Sequence, residues 1–165
     1  MITKVITVCK EMFQARGYIL THEDNDDSGH FIRGITSKGN SVVVCILPDI
    51  KLNVDTLKSY YQLFLERELE HIILVYQQQI TPSVRKLITE IPLTIELFHI
   101  NELQYNLLKH ELVPRHICIG RERQNVKNLP ILKKTDPVAR FLAFKTGDII
   151  QINRLDGTLY LRYVK

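Results

Sequence analysis

The sequence predicts a layered α/β domain over residues 1–105, followed by a small α+β domain over residues 106–165 that ends in a β-hairpin. Up to about Tyr105, stretches with the apolar spacing of helices alternate with short apolar runs typical of strands. Further along, Asp136-Pro137 is a sharp helix-start signal, and two strand-like runs flank Asp156-Gly157. A chain of 165 residues can bury two such small cores.

The first predicted elements are a helix and a β-hairpin. Gly17 is well placed to end the helix, and Tyr18 to Leu20 can begin a strand. The acidic segment from His22 to Gly29 has no apolar period, so it is predicted to be a loop. Phe31 to Thr36 and Ser41 to Leu47 flank a turn and predict the hairpin. The apolar positions of the first helix are Ile2, Val5, Ile6, Cys9, Met12 and Phe13.

The rest of the first domain continues the alternation of helix and strand. Asn53 and Thr81-Pro82 are each suited to begin a helix, because their side chains accept from free backbone N–H groups. Asn101 is expected to cap a last helix from Glu102 to Lys109. Strands are expected from Ile72 to Tyr76 and from Leu93 to Phe98, and the apolar helix positions are Leu57, Tyr60, Tyr61, Phe64 and Leu65, then Val84, Leu87 and Ile88.

The second domain is predicted from one capped helix and one hairpin. Asp136 can cap the helix that Pro137 begins, and Gly147 suits the turn before the hairpin because glycine tolerates positive φ. A two-residue loop at Asp156-Gly157 would give one mostly apolar face, which the helix can cover. The pairs expected from that loop are Leu155 with Thr158, Ile152 with Leu161, Ile150 with Tyr163 and Gln151 with Arg162.

Composition and charge narrow the classes of function. No apolar run is long enough to span a bilayer, and the first residues lack the layout of a secretory signal. The cysteines Cys9, Cys45 and Cys118 are isolated in apolar surroundings, which indicates buried thiols. From Leu108 onward there are twelve Lys or Arg against five Asp or Glu, a balance of +7 that leaves −3 for the preceding residues. A basic end attracts nucleic acid or an acidic protein surface, or it is simply a solvated face.

Two acidic segments resemble parts of metal sites. Asp24 to Gly29 copies the first half of an EF-hand loop, but the twelfth position is Ile35, where a bidentate Glu is required. Pro48-Asp49-Ile50-Lys51 looks like part of the P-D…(D/E)-x-K signature of metal-dependent nucleases, whose layered topology the first domain is expected to share. Its second carboxylate could come only from Asp26-Asp27, so the site would be incomplete.

No enzyme site emerges from the remaining residues. The six histidines form no metal-binding pair at i, i+4, no Ser or Cys lies in a nucleophile elbow, and no glycine-rich phosphate loop is present. The sequence therefore predicts no catalytic residue, cofactor, metal or small-molecule substrate. A metal-dependent nuclease and a free-standing DNA-binding module stay open as alternatives.

Three motifs near the C-terminus resemble one protein family. They are His110-Glu111-Leu112-Val113-Pro114-Arg115-His116, Asp136-Pro137-Val138-Ala139-Arg140, and Gly147-Asp148 before a strand. In this order they are similar to the assembly domain of the small subunit shared by eukaryotic RNA polymerases, a domain that archaeal polymerases also possess. Upstream, Gly17-Tyr18, Thr56 to Tyr61 and Ile80 to Ser83 look like the N-terminal domain of the eukaryotic proteins, which the archaeal ones lack.

The resemblance implies a non-catalytic subunit of a DNA-directed RNA polymerase. Residues 106–165 would dock on the largest subunit among the other polymerase subunits, and residues 1–105 would form a jaw beside downstream duplex DNA, with contacts to phosphates. No membrane contact is expected. The assembly interface implied by the motifs consists of His110, Glu111, Leu112, Val113, Pro114, His116, Asp136, Pro137, Val138, Ala139, Arg140, Gly147 and Asp148, and the DNA-proximal residues are Thr81, Pro82 and Ser83.

The chain departs from the family pattern between Ile119 and Leu129, where relatives insert a helix and this chain has only nine residues. The terminal hairpin loop also looks shortened. Such compactness, with a retained N-terminal domain, favours a copy encoded by a large DNA virus, with a divergent nuclear subunit as the alternative. The expected location is the nucleus, or the virion and the cytoplasmic viral factory for a virus-encoded protein.

Overall fold

A computed structural model describes residues 2–121 and 128–165, which form two compact units, Met1–Tyr105 and Asn106–Lys165. Most of the segment in which relatives insert a helix lies outside the described residues. Among those described, no helix is long and apolar enough to cross a membrane. Each unit has its own mixed sheet and its own core.

The N-terminal unit is a five-stranded sheet with three helices, in strand order β1-β2-β3-β4-β5. The first three strands are antiparallel neighbours, whereas β3, β4 and β5 run parallel and are joined by helical crossovers. In chain order the elements are α1 (Ile2–Ala15), β1 (Ile19–Asp26), β2 (Gly29–Ile35), β3 (Ser41–Ile46), α2 (Val54–Glu66), β4 (His71–Tyr76), α3 (Pro82–Glu90) and β5 (Thr94–His99).

Helices cover both faces of this sheet. On one face, α2 and α3 bury apolar side chains such as Leu57, Phe64 and Val84 against alternate residues of β3 and β4. On the other, Phe13 of α1 lies so close to Gly34 that a Cβ there would come within 2.7 Å of its ring. Only glycine fits beneath the helix at this point. The strands β3 and β4 are therefore buried on both sides, as their apolar sequences predict.

The predicted starts of α2 and α3 and the predicted end of α1 are confirmed. Asn53 Oδ1 accepts from Thr56 N at 2.8 Å, and Thr81 Oγ1 accepts from Val84 N at 3.5 Å. Gly17, with φ of 70°, ends α1 as predicted, because the left-handed conformation stops the helix. Leu65, which was expected on the apolar side of α2, is exposed instead.

The predicted acidic loop is wrong, because His22 to Asp26 belongs to the edge strand β1. All but one of the eight strand residues are exposed, so no apolar period marks the strand. Its backbone pairs with β2, and carboxylates along it contact lysine, arginine or histidine side chains. These pairs are Glu23 with Lys10 and His30, Asp24 with His22 and Arg33, and Asp26 with Arg67.

The helix expected from Glu102 to Lys109 is replaced by two short 3₁₀ turns, Ile100–Leu103 and Leu107–Lys109. His99 Nδ1, not Asn101, caps the first turn by accepting from Asn101 N at 3.2 Å. The buried Asn106 caps the second by accepting from Leu108 N at 3.0 Å. Because an Asn side chain competes for the backbone N–H groups, the helix is interrupted at this residue.

In its described residues, the C-terminal unit is a four-stranded sheet, in strand order β6-β8-β9-β7, with one short α-helix. Leu132, Ala139, Ile150, Ile152 and Val164 form its core between the helix and one sheet face. The elements are β6 (Arg115–Arg121), β7 (Ile131–Leu132), α4 (Pro137–Phe141), β8 (Asp148–Asn153) and β9 (Leu159–Val164). Cys118, predicted to be buried, is exposed on the edge strand β6, whereas Cys9 and Cys45 are buried as predicted.

The terminal hairpin exists, but its predicted register is wrong by one residue. Arg154 N donates to Thr158 O at 3.0 Å, so the loop has three residues and Gly157 takes a positive φ of 81°. This slip turns the apolar side chains of β9 to the opposite sheet face. The observed pairs are Ile152 with Tyr160, Gln151 with Leu161, Ile150 with Arg162 and Ile149 with Tyr163.

Candidate functional site

A groove of about 310 Å³ opens on the C-terminal unit, and we call it the C-terminal groove. It lies between the Leu112–Pro114 segment, the start of α4 and the β8–β9 hairpin. The apolar residues that line it are Leu112, Val113, Pro114, Leu132, Val138, Ile152 and Tyr160, and the polar ones are His116, Asp136, Arg154 and Arg162. A cavity of this size and mixed lining is typical of a small binding site.

One wall of the groove is held in place by its own histidines. Val113 N donates to His110 O at 2.9 Å, and Leu112 N donates to His110 Nδ1 at 3.2 Å, which closes a tight turn. His116 Nδ1 donates to Pro114 O at 2.7 Å. These local bonds hold the turn while leaving Leu112 77% exposed, so this large apolar side chain is available to a partner.

The groove has a positive character. Its carboxylate, Asp136, accepts from Val138 N at 2.8 Å and Ala139 N at 3.3 Å and so serves as the cap of α4. The Arg154 guanidinium lies 4.4 Å from the centre of the Tyr160 ring, and Arg162 donates to Ile131 O at 3.3 Å. Two guanidinium groups therefore border an apolar floor, an arrangement suited to an acidic partner.

The structure brings together six of the residues predicted for the assembly interface and separates the others. The six are Leu112, Val113, Pro114, His116, Asp136 and Val138. His110, Glu111 and Pro137 are exposed outside the lining, Arg140 is half-buried in α4, and Ala139 belongs to the core. Gly147 and Asp148 are buried in the turn before β8.

Asp148 has a structural place in this turn. Its Oδ1 accepts from Arg121 Nε at 2.9 Å and Nη2 at 2.7 Å, and its Oδ2 accepts from Lys145 N at 2.7 Å. The carboxylate thus ties the end of β6 to the turn that begins β8. Gly147 has a φ of 99°, a conformation that favours glycine, as its sequence position predicts.

Sequence reasoning missed five lining residues of the groove: the core residues Leu132 and Ile152, and Arg154, Tyr160 and Arg162. The assumed two-residue loop placed Tyr160 and Arg162 on the face away from α4, whereas the three-residue loop turns them toward the groove. An arginine just before the loop and an aromatic residue just after it could have suggested the stacked pair.

The predicted DNA-proximal residues Thr81, Pro82 and Ser83 are exposed at the start of α3, in the N-terminal unit. The following residues Arg85 and Lys86 are exposed as well. Free N–H groups, hydroxyls and positive charges at a helix start are compatible with a phosphate. The Thr81 hydroxyl also caps the helix, so capping alone would explain this residue.

Asp49 and Lys51, the fragment of the nuclease signature, lie in the loop after β3. Asp49 Oδ1 accepts from Gln78 Nε2 at 3.1 Å, and Asp26 is paired with Arg67. This pairing lowers the pKa of Asp26. In the part of the chain that is described, no group of three His, Cys, Asp or Glu residues could hold a metal ion. Burial raises the pKa of the Cys9 and Cys45 thiols to about 12, so both are inert.

Replacing Asp136 with Ala should lower the free energy of unfolding of the C-terminal unit by about 1 kcal/mol, because the cap of α4 is lost. Asp136→Asn is the matched control, since its amide oxygen can still accept from Val138 N and Ala139 N. Urea denaturation of the full chain measures both. Equal stability of the Ala variant and the wild type would contradict the capping role.

Comparisons with known proteins find a matching family and relatives that are all described as RNA polymerase subunits. Residues 105–164 match the family described as RNA polymerase Rpb5, C-terminal domain. A subunit of DNA-directed RNA polymerases I, II and III from Dictyostelium discoideum, named rpabc1, is 28% identical, and the alignment covers 93% of this chain and 90% of the relative. The subunit of the same name from Caenorhabditis briggsae is 31% identical over 70% of this chain and 61% of its own length.

One solved structure, described as EndoMS in apo form, covers 57% of this chain and 45% of its own. The sequence identity is 16% and the TM-score is 0.39. This likeness is too low to bear on the fold or on the site.

Proposed function

Because the chain belongs to the family of the small subunit shared by eukaryotic RNA polymerases I, II and III, we propose that its two units divide that subunit's work between docking and DNA guidance. The chain is a non-catalytic structural subunit of a DNA-directed RNA polymerase, with other polymerase subunits as its partners. We propose that residues 106–165 are an assembly domain that docks on the largest subunit, and that residues 1–105 are a jaw domain beside downstream DNA.

The observation that carries the docking proposal is the C-terminal groove. It gathers side chains from two separate sequence motifs around an apolar floor with two guanidinium groups. A partner segment with apolar and acidic side chains would fit both features. The proposed interface comprises the groove residues and the neighbouring motif residues His110, Glu111, Pro137, Ala139, Arg140, Gly147 and Asp148. Of these, the buried residues Ala139, Gly147 and Asp148 would not touch a partner but would hold the surrounding backbone in place.

Recovery of polymerase subunits tests the docking proposal. The tagged full chain should bring down the largest subunit, whereas Leu112→Asp should reduce this recovery at least about tenfold, because an exposed apolar anchor becomes charged. Leu65→Asp is the matched control, an exposed leucine on α2 of the other unit. Equal recovery with Leu112→Asp and with the wild type would count against the groove.

The DNA proposal rests on the exposed start of α3. Thr81 and Ser83 offer hydroxyls at the N-terminus of the helix, and Arg85 and Lys86 add positive charge within one helical turn. Contacts of this kind read the phosphate backbone and not the base sequence. We therefore propose that this helix start guides downstream duplex DNA by phosphate contacts.

Thr81→Asp should weaken the hold of the assembled polymerase on downstream DNA by a few fold, because it adds a negative charge facing phosphates. Asp caps helices as well as Thr does, so stability should not fall. Thr89→Asp is the control, with the same charge change about 12 Å further along the helix axis. Filter binding over a range of salt concentrations gives the result, and equal DNA affinity of the two variants would refute the proposed contact.

A metal-dependent nuclease is the alternative function. Its basis is the fragment of a nuclease signature, Asp49 to Lys51, in the layered N-terminal unit. It is not favoured, because Asp49 contacts an amide and the possible second carboxylate, Asp26, pairs with Arg67. A free-standing DNA-binding module is not favoured either, since acidic side chains outnumber basic ones in the first unit. The proposed location is the nucleus, or the virion and cytoplasmic viral factory for a copy encoded by a large DNA virus.

A further inference from the structure

The free end of the β8–β9 hairpin exposes large apolar side chains on both of its faces. Tyr160, on the face of the C-terminal groove, is 43% exposed. On the opposite face, Leu159 is 64% exposed and Leu161 is 41% exposed. Leu155, at the tip, is 87% exposed. Four large apolar residues within seven positions are far more than the scattered exposure that a soluble surface normally shows.

The register explains why the fold itself leaves these side chains uncovered. Leu159 and Leu161 lie opposite Asn153 and Gln151, on the sheet face away from the core beneath α4. In the described part of the chain, β7 pairs with β9 only at Tyr163 and Val164. The stretch from Leu159 to Leu161 is therefore an edge with apolar side chains, which natural proteins usually cover or charge.

The charges at the hairpin indicate what covers it. Arg154 and Arg162 flank the apolar residues. The acidic side chain of the loop, Asp156, is engaged within the loop, where Oδ1 accepts from Thr158 N at 2.9 Å and from Thr158 Oγ1 at 2.5 Å. The end of the hairpin thus carries two arginines against one carboxylate, and this net positive charge favours an apolar surface bordered by carboxylates.

We propose that the end of the β8–β9 hairpin inserts into an apolar cleft with an acidic rim on another polymerase subunit, so that both hairpin faces become buried. A flat surface could cover Tyr160 or Leu161 but not both, because neighbouring strand residues point to opposite faces. This inference rests on the proposed function for the identity of the partner. It adds a second contact, on the sheet face opposite the C-terminal groove, that the sequence motifs do not include.

The test compares the two hairpin faces in the tagged full chain. Leu159→Asp with Leu161→Asp changes the outer face, and Tyr160→Asp changes the groove face. Each should lower the affinity for the partner subunit roughly 30-fold, the effect of losing a well-buried anchor. Thermal unfolding should change little, because these side chains are already exposed. Ile19→Asp, at an exposed apolar residue of the edge strand β1, is the matched control and should bind like the wild type.

A charge reversal on the hairpin, at a residue expected to face the acidic rim of the partner's cleft, gives a second readout. Arg154→Glu should weaken binding most at low salt, and the difference from the wild type should shrink as salt rises, since screening removes the repulsion from an acidic rim. A salt-independent loss would contradict the acidic rim.

The outcomes separate this inference from the function on which it rests. If the wild type recovers no polymerase subunit, the proposed function fails and the inference fails with it. If the wild type recovers the subunits and either face can be charged without loss, only the cleft is refuted. Sedimentation of the isolated chain tests whether a second copy of the chain covers the hairpin instead. A wild-type dimer that dissociates when Leu159→Asp and Leu161→Asp are combined would show this and would overturn the proposal.

Discussion

Replacing Glu96 with Ala should lower the free energy of unfolding of the N-terminal unit by about 3 kcal/mol. The Arg16 Nη1 and Nη2 atoms donate to the two Glu96 oxygens at 2.9 and 2.7 Å, and His71 Nε2 donates to Oε1 at 2.7 Å. The Arg16 side chain is only 1% exposed. Removing the carboxylate deprives a buried guanidinium of its ion-pair partner, which costs far more than losing a surface pair.

The same carboxylate should make the free energy of unfolding of this unit decrease as the pH is lowered into the acidic range. Burial opposes ionisation of Glu96, but the hydrogen bond from His71 and the charge of Arg16 outweigh it and lower the pKa from 4.5 to about 2. A lowered pKa stabilises the folded state above the unfolded pKa, and this contribution disappears as the pH falls through the folded value. The wild type should thus lose stability between about pH 5 and pH 2, and Glu96→Ala should lack this component.

Urea denaturation at several pH values measures both effects. Glu96→Gln should fall between the wild type and Glu96→Ala, because its amide oxygen still accepts one hydrogen bond. Glu90→Ala, at an exposed position near the end of α3, is the control and should stay within about 0.5 kcal/mol of the wild type. If Glu96→Ala unfolds at the same urea concentration as Glu90→Ala, the buried ion pair does not stabilise the unit.

In the C-terminal unit, Asp148→Ala should cost about 2 kcal/mol, because three hydrogen bonds to a buried carboxylate are lost. The figure allows for Arg121, which is half-exposed and regains water when the pair breaks. For a unit this small, such a loss should lower the melting temperature by roughly 10 °C. Docking should weaken as well, since the turn that begins β8 also sets the hairpin that borders the groove.

A variant of the partner residue makes this prediction sharper. Arg121→Ala should cost less than Asp148→Ala, because Asp148 keeps its bond from Lys145 N and water can reach the carboxylate where the half-exposed guanidinium lay. Hydrogen exchange of the β6 and β8 amides distinguishes the two variants. Equal protection in Asp148→Ala and Arg121→Ala would mean that the buried carboxylate has no special role in the turn.

Most capping signals in the sequence predict the helix ends correctly because they act over a few residues, although Asn101 does not cap the helix expected to follow it. Asn53, Thr81 and Asp136 each cap the helix that was predicted to follow, and Gly17 ends α1. A cap needs only one side chain and the next backbone N–H groups, so its geometry is fixed by neighbours in the chain. The buried strands β3 and β4 were predicted for a similar reason, because an unbroken apolar run suits a strand covered on both faces.

Errors arose where distant residues decide the structure, or where the local sequence is compatible with two conformations. The edge strand β1 has no apolar pattern, and its carboxylates are matched by Lys10, Arg33 and Arg67 from other elements. The hairpin register depended on whether the loop holds two or three residues, and Gly157 permits either. The difference of one residue in loop length determines which side chains of β9 line the groove. Tyr160 and Arg162 could therefore not be found from the motifs alone.

The central claim is that the basic C-terminal unit, and not the jaw, attaches the chain to the polymerase. Mass spectrometry of complexes purified through tagged residues 106–165, and in parallel through tagged residues 1–105, tests it most directly. We expect the largest polymerase subunit to be recovered with residues 106–165 and to be absent with residues 1–105. Recovery through residues 1–105 alone, with none through residues 106–165, would contradict the account.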